Sequence, residues 1–263
     1  MVCGSDSMNY VQVFCGLGNQ LFQYVFSRYL EKVTGKESVL YFKEKSDSFD
    51  CFNLSYIPLD HGITVNEIVY DNGFCNVEPS SDNKLYAGWW QNRDYLMPVL
   101  DRVIGDLTLK EEYITPDLAK LEKELMESES VALHFRRTDY VTGDGARMFV
   151  SLDMSYYEEA ISLISETIGS DNLKIYLFSD DFDYISGITD ICGIPVLPMP
   201  SRKAHEDMFL MSKCHHHVIA NSTFSWWGAV MSPYRDFGIT VAPDKWYLAM
   251  PSPNLYLDNW MKL

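Results

Sequence analysis

Arg136 and Arg137 stand side by side after an apolar run, in a 263-residue chain whose net charge is −16. Two adjacent guanidinium groups in so acidic a protein need anionic partners, and their planar donor forks match the oxygens of a diphosphate. Ion pairing with nearby carboxylates such as Asp139 or Asp144 is the plainer use of them. Two more polar segments fall at the carboxyl end of an apolar strand: F-S-D-D at 178–181 and A-N-S-T-F-S-W-W-G-A at 220–229. Asp180 or Asp181 can accept paired N–H bonds from a guanine edge, or can cap the short helix that follows. Asn221, Ser222, Thr223, Phe224 and Ser225 lead from a strand into a helix, where hydroxyls and backbone N–H groups form an anion site or simply cap the helix. His134, at the strand end before the arginines, is either a base or ribose contact or an interior histidine. Open α/β sheets bind ligands beyond the carboxyl ends of their strands, so three polar motifs at one edge mark a ligand-binding half.

The elements that must position these residues follow from periodicity. Tyr10 to Cys15 reads as a strand and G-L-G-N (16–19) as a tight turn. Phe22, Phe26, Tyr29, Leu30 and Val33 then form a helical stripe that Gly35 closes in a left-handed cap. Ser38 to Phe42 is the next strand. From 43 to 87 the chain is turn-rich, and only Ile68 to Tyr70 reads as a strand. Residues 92–104 read as helix despite Pro98. Thr115 and Pro116 open a further helix with Leu118, Leu121 and Leu125 on one face. The charge-rich stretch ending at Glu129 sets the expected boundary between a domain at 1–129 and another at 130–263.

Beyond that boundary strands are expected at 131–135, 173–178, 194–197, 217–220 and 239–242. Helices are expected near 182–187, 205–213 and 224–231, and one that a Ser155/Glu158 capping box opens and Gly169 ends. This alternation predicts an α/β fold with parallel sheets covered by helices on both faces.

Composition excludes several classes of function. With 47% hydrophobic residues the chain can bury a core, and 37 acidic against 21 basic residues argue against partnership with nucleic acid or an anionic membrane. No apolar run reaches membrane-spanning length, no signal pattern opens the chain, and the six cysteines form no C-x-x-C pair, so a cytoplasmic protein is expected. G-L-G-N-Q lacks the third glycine of the dinucleotide fingerprint, which disfavours a nicotinamide cofactor. In Cys214-His215-His216-His217 a strand sends alternate histidines to opposite faces, which disfavours a metal site. Trp226 and Trp227 read as packing residues.

Taken together, G-L-G-N-Q-L-F-Q-Y (16–24), W-W-Q (89–91), H-F-R-R-T-D-Y (134–140), F-S-D-D, N-S-T-F-S-W-W-G-A and A-P-x-x-W (242–246) resemble the alpha-1,2-fucosyltransferases of glycosyltransferase family 11. The motifs keep the family order and cover most of the chain, leaving 43–87 and the tail after Tyr247 without a counterpart. The resemblance implies a GT-B-like fold of two Rossmann-like domains whose parallel sheets face each other across a cleft. It implies GDP-fucose as donor and co-substrate, a galactose-containing glycan as acceptor, and no metal or other cofactor.

The resemblance also implies roles. Arg136 would bind the donor β-phosphate beside Arg137, with His134 and Asp180 or Asp181 near guanine and residues 221–225 around the pyrophosphate. Gly18, Asn19 and Gln20 would reach the sugar from the opposite domain. The irregular 43–95 region is expected to read the acceptor, with Trp89, Trp90 and Gln91 meeting the glycan. Asp139 is the first candidate for general base and Asp144 the second. Thr138 stands where the family commonly has Gly and where related alpha-1,6-fucosyltransferases carry Thr. Transfer of fucose to another hydroxyl is therefore one alternative, and use of another GDP-sugar is a separate one.

Overall fold

The computed structural model describes residues 8–60, 62–72, 82–137, 145–169 and 173–263. The chain divides into two compact units, Met1–Lys110 and Glu111–Leu263.

In the first unit a five-stranded sheet contains β1 (Asn9–Val13), β2 (Ser38–Phe42), β3 (Ile57–Pro58), β4 (Glu67–Tyr70) and β5 (Lys84–Ala87). Their order is β3-β2-β1-β5-β4 and every pairing is parallel. The helix Leu17–Thr34 returns from β1 with Leu21, Phe22, Val25, Phe26 and Leu30 buried. It ends at Gly35, which adopts φ 70° and donates its N–H to Glu31 O, the left-handed cap expected there.

Three expectations change in this unit. G-L-G-N is the first turn of the helix rather than a separate turn, and Cys15, at φ 65°, takes up the reversal. β5 lies in the expected turn-rich stretch, yet pairs with both β1 and β4. Only Leu85 and Tyr86 of its four residues are buried, too few to show a period of two. The expected helix at 92–104 breaks at Pro98 into Arg93–Leu96, a 3-10 turn at Met97–Val99, and Leu100–Asp106. Proline lacks the N–H an unbroken helix needs and clashes with the preceding turn.

Two buried glutamines on the first helix hold the loops of this sheet. Gln20 donates Nε2 to Cys15 O at 2.6 Å and Glu44 O at 3.3 Å, and its Oε1 accepts Ser46 N at 3.0 Å. Gln23 accepts Phe14 N at 3.0 Å and donates to Gly88 O at 3.0 Å. Irregular backbone under a helix must find such partners, because an unmet buried group is costly.

In the second unit the sheet runs β12-β11-β10-β6-β7-β9-β8. Its strands are β6 (Ser130–Phe135), β7 (Lys174–Ser179), β8 (Asp190–Ile191), β9 (Ile194–Pro198), β10 (His216–Val218), β11 (Thr240–Ala242) and β12 (Met261–Lys262). All pairings are parallel except β8 with β9. β6 is buried along its whole length, as a central parallel strand covered on both faces must be. Helices Met154–Ile168, Phe182–Ile185, Ala204–Ser212 and Thr223–Val230 alternate with the strands. The residue that caps Met154–Ile168 is Asp153, accepting Ser155 N at 3.0 Å and Tyr156 N at 3.4 Å, in place of the expected capping box at Ser155. Gly169 closes that helix at φ 59°.

The helix Pro116–Glu127, expected at the end of the first domain, belongs to the second unit. Asp117 pairs with Arg202 at 3.0 Å, Glu122 with Lys213 at 2.6 Å, and the Tyr113 ring lies edge-on to His205 at 5.5 Å. No helix among the described residues is long and apolar enough to cross a membrane.

Replacing Gln20 with leucine strands two carbonyls and one N–H around the β1 and β2 loops. The expected loss is about 1–3 kcal/mol of unfolding free energy, read as a lower urea midpoint at an unchanged slope.

Candidate functional site

The pairing of β6 with β7 places Phe135 opposite Ser179, and the pairing of β6 with β10 places Leu133 opposite Val218. The residues that follow each strand therefore emerge at one edge. His134 is the penultimate residue of β6 there and Arg136 and Arg137 follow that strand, Asp180 and Asp181 follow β7, and Asn221 to Ser225 come after β10.

Among the described residues the arginines pair with the two carboxylates that follow β7. Arg136 Nη1 lies 3.0 Å from Asp180 Oδ2, and Asp180 Oδ1 accepts the backbone N–H of Arg137 at 2.9 Å. Arg137 Nε lies 3.5 Å from Asp181 Oδ2, and its guanidinium sits 3.6 Å over the ring of Tyr184. Asp181 also caps the next helix, accepting Tyr184 N at 3.1 Å. Both aspartates thus serve the arginines, and the cap falls to Asp181. All four side chains remain 20–33% exposed, so the ion pairs are open to exchange with an incoming anion. Asp139 and Asp144, the carboxylates proposed as base from the sequence, lie outside the described residues, as does Thr138.

His134 is 3% exposed, and its Nδ1 has no hydrogen-bond partner. Burial, reinforced by the Arg136 charge, pushes its pKa down to about 3, against a smaller opposing pull from Asp180. The ring is therefore neutral at physiological pH and can offer one donor and one acceptor. It packs 5.8 Å from the ring of Phe224.

Ser222 caps the helix Thr223–Val230, accepting Phe224 N at 3.3 Å. Ser225 is buried and donates to Ser222 O at 3.3 Å. Asn221 donates Nδ2 to Val150 O and to Trp246 O, both at 2.9 Å, tying the late A-P-x-x-W motif to this edge. Thr223 and Phe224 are half-buried at the mouth of the helix. Asn221 and Ser225 hold the backbone, leaving the helix start, Thr223 and Phe224 as the surface a ligand can meet. Trp226 and Trp227 are core residues.

A residue the sequence reading passed over belongs to the same edge. Asp207 lies in the first turn of the helix after β9, and one of its carboxylate oxygens is buried without a partner. Burial pushes its carboxyl up to about 7, against the opposing pull of the Arg202 N–H and guanidinium. In sequence it looks like any acidic residue in a first helical turn, where carboxylates are common, and only its burial sets it apart.

On the first unit, Asn19 is half-buried and its Oδ1 accepts Gln91 Nε2 at 2.9 Å. Three residues expected at a substrate are instead internal. Gly18 is buried, Gln20 spends its amide on loop backbone, and Trp90 is 1% exposed and stacked on Phe26 at 3.8 Å. Trp90 holds φ 55°, which turns its indole inward.

The three histidines of the 215–217 run go to separate partners. His215 Nδ1 lies 3.2 Å from Ser130 Oγ, His216 Nε2 lies 2.6 Å from Glu129 Oε1, and His217 Nε2 lies 2.9 Å from Met211 O. Among the described residues no group of three or more His, Cys, Asp or Glu side chains could hold a metal ion.

Two parallel sheets with alternating helices are the architecture of GT-B glycosyltransferases. The chain superposes on the fucosyltransferase NodZ from Bradyrhizobium with a TM-score of 0.56 at 13% identity, covering 87% of this chain and 94% of that one. It also superposes on POFUT1 in complex with GDP, with a TM-score of 0.52 at 12% identity over 90% and 98% of the two chains. These likenesses show the fold. The chain belongs to glycosyl transferase family 11, whose sequence model matches residues 71–263. It is 34% identical over 198 residues to the O-antigen biosynthesis glycosyltransferase WbnK of Escherichia coli, covering 73% of this chain and 61% of that protein. It is 33% identical over 171 residues to an alpha-1,2-colitosyltransferase of Escherichia coli, covering 62% and 56% of the two. The chain thus spans less than two thirds of the length of these curated relatives.

The raised carboxyl of Asp207 fixes the sign of a pH effect. From about pH 7 down toward the ordinary carboxylate range the folded chain holds a proton that the unfolded chain has released, so this group favours folding as pH falls. Asp207→Asn removes the burden of an ionised carboxyl. Its unfolding free energy is expected to exceed that of the unsubstituted protein most above pH 7, the excess shrinking by at most about 1.4 kcal/mol per pH unit below that. Urea titrations at a series of pH values measure the difference.

Proposed function

We propose that this chain transfers L-fucose from GDP-β-L-fucose to the 2-hydroxyl of a galactoside, with inversion and without a metal. The observation that carries the reading is the cluster at the second unit's carboxyl edge: Arg136 on an exchangeable carboxylate, a neutral buried His134, and the start of the helix Thr223–Val230. Membership of family 11 supports glycosyl transfer, and the alpha-1,2 linkage made by the colitosyltransferase relative supports the position of attack.

As the glycosidic bond of a GDP-sugar breaks, negative charge gathers on the departing diphosphate. Arg136 supplies a bidentate cation to the β-phosphate once Asp180 yields it, and the first turn of the helix Thr223–Val230 adds N–H dipoles. Fixed cations of this kind do for a leaving diphosphate what a divalent ion does elsewhere. His134 and Asp180 or Asp181 are proposed near the guanine, whose N–H edge suits a carboxylate acceptor. A β-linked donor giving an α-linked product requires one inverting displacement. The attacking hydroxyl then needs a proton acceptor, for which Asp139 and then Asp144 are proposed. The same relative's colitosyl transfer favours a second reading, with the same linkage and a different sugar on the donor.

GDP or GDP-fucose at about 100 times its Kd is expected to add roughly 2.7 kcal/mol of stability, seen as a raised melting temperature, whereas NAD leaves it unchanged. A response to NAD and none to GDP sinks the reading. Arg136→Ala is expected to weaken GDP binding by about 10- to 100-fold, the loss of a charge-assisted contact, and to abolish turnover nearly completely. Asp139→Asn is expected to spare GDP binding and slow transfer. Turnover should be unchanged in a chelator.

A further inference from the structure

On the first unit the loops leaving β1 and β5 carry two aromatic residues, Phe14 and Trp89, with ring centroids 4.9 Å apart and planes tilted by 53°. Trp89 is 45% exposed, although its neighbour Trp90 is in the core. The backbone explains how adjacent indoles part company. The N–H of Trp90 donates to Asp71 Oδ2 at 2.7 Å while its left-handed φ turns the chain. Gly88 lies so close to Asp71 that a Cβ there would stand 2.1 Å from the Asp71 Cβ. No other residue fits that corner.

The pair is held from below as well as displayed. Gln23, fully buried, bonds Phe14 N with one end of its amide and Gly88 O with the other. One side chain thus fixes the two loops that carry the two rings. Gln91, on the β5 loop, bonds Asn19 in the first turn of the helix that follows the β1 loop, so an exposed indole and a bonded pair of amides are set at one sheet edge. A large exposed apolar ring held rigidly next to amides is the arrangement that suits a pyranose, whose C–H face needs an apolar surface and whose hydroxyls need donors and acceptors. In a galactopyranoside the C3, C4 and C5 hydrogens share one face, which gives such a ring a continuous apolar side.

We propose that Trp89 and Phe14 form a stacking platform for a pyranose ring of the acceptor, with the amides of Gln91 and Asn19 oriented toward its hydroxyls. This rests on the glycosyl-transfer reading above. Of the two tryptophans expected at the glycan it keeps the exposed Trp89 and drops the buried Trp90, and it gives Gln23 the part of a positioning residue.

The test labels the full chain with 5-fluorotryptophan, assigns the Trp89 fluorine resonance by its loss in Trp89→Phe, and titrates methyl β-D-galactopyranoside in the presence of GDP. The Trp89 resonance is expected to move with saturable dependence on the sugar. In transfer assays with the same acceptor, Trp89→Ala is expected to raise the acceptor KM by about tenfold, as loss of a stacking ring does, with GDP affinity unchanged and Trp89→Phe restoring most of the loss. A Trp89 resonance that stays fixed up to the solubility limit of the sugar, while GDP still raises the melting temperature, overturns the platform alone. Movement confined to other tryptophans does the same. A protein that responds to neither GDP nor GDP-fucose overturns the donor reading on which the platform rests.

Discussion

The register of β6 between β7 and β10 is the constraint on which the second unit depends. Parallel strands in register end together, so whatever follows them is delivered to one edge. Ser179 opposite Phe135 brings Asp180 within reach of Arg136. A slip of one residue would reverse the faces of β6 and send His134 to the side that now holds Leu133 and Phe135. The wholly buried strand resists that slip, because every residue from Ser130 to Phe135 already has a packed place. Cluster and core are fixed by the same pairing.

The first unit solves a related problem with amides. Its sheet has short strands, and the loops at its carboxyl edge have too little regular structure to satisfy their own backbone. Gln20 and Gln23, one turn apart on the helix below, supply that satisfaction with both ends of each side chain. Two residues out of the left-handed minority, Cys15 and Trp90, lie on the loops so held. Such backbone persists only where its surroundings over-determine it.

Much of this was legible in the sequence, and the exceptions have physical causes. The caps at Gly35, Gly169 and Thr115 were readable because glycine and threonine there do one local job. β5 was not, because four residues with two buried side chains become a strand only through the neighbours they join. The convergence of Arg136, Asp180 and Ser222 at one edge followed from strand order alone, but the partner of each arginine did not, since pairing across strands needs the register. Trp89 and Trp90 are indistinguishable as letters, and only a backbone torsion decides which indole meets solvent. Asp207 carries no motif, and its character comes wholly from burial.

The bond between Arg136 and Asp180 bears on time as well as on energy. On the proposed reading an incoming diphosphate displaces a resident carboxylate, so the affinity measured is a difference between two anions and is lower than a bare guanidinium would give. The displaced carboxylate stays tethered at the end of β7, at an effective concentration no dissolved ion can match. It therefore competes for the arginine from the moment the sugar has left, and the spent nucleotide departs from a site that heals behind it. On that reading the tethered carboxylate shortens the residence time of the product.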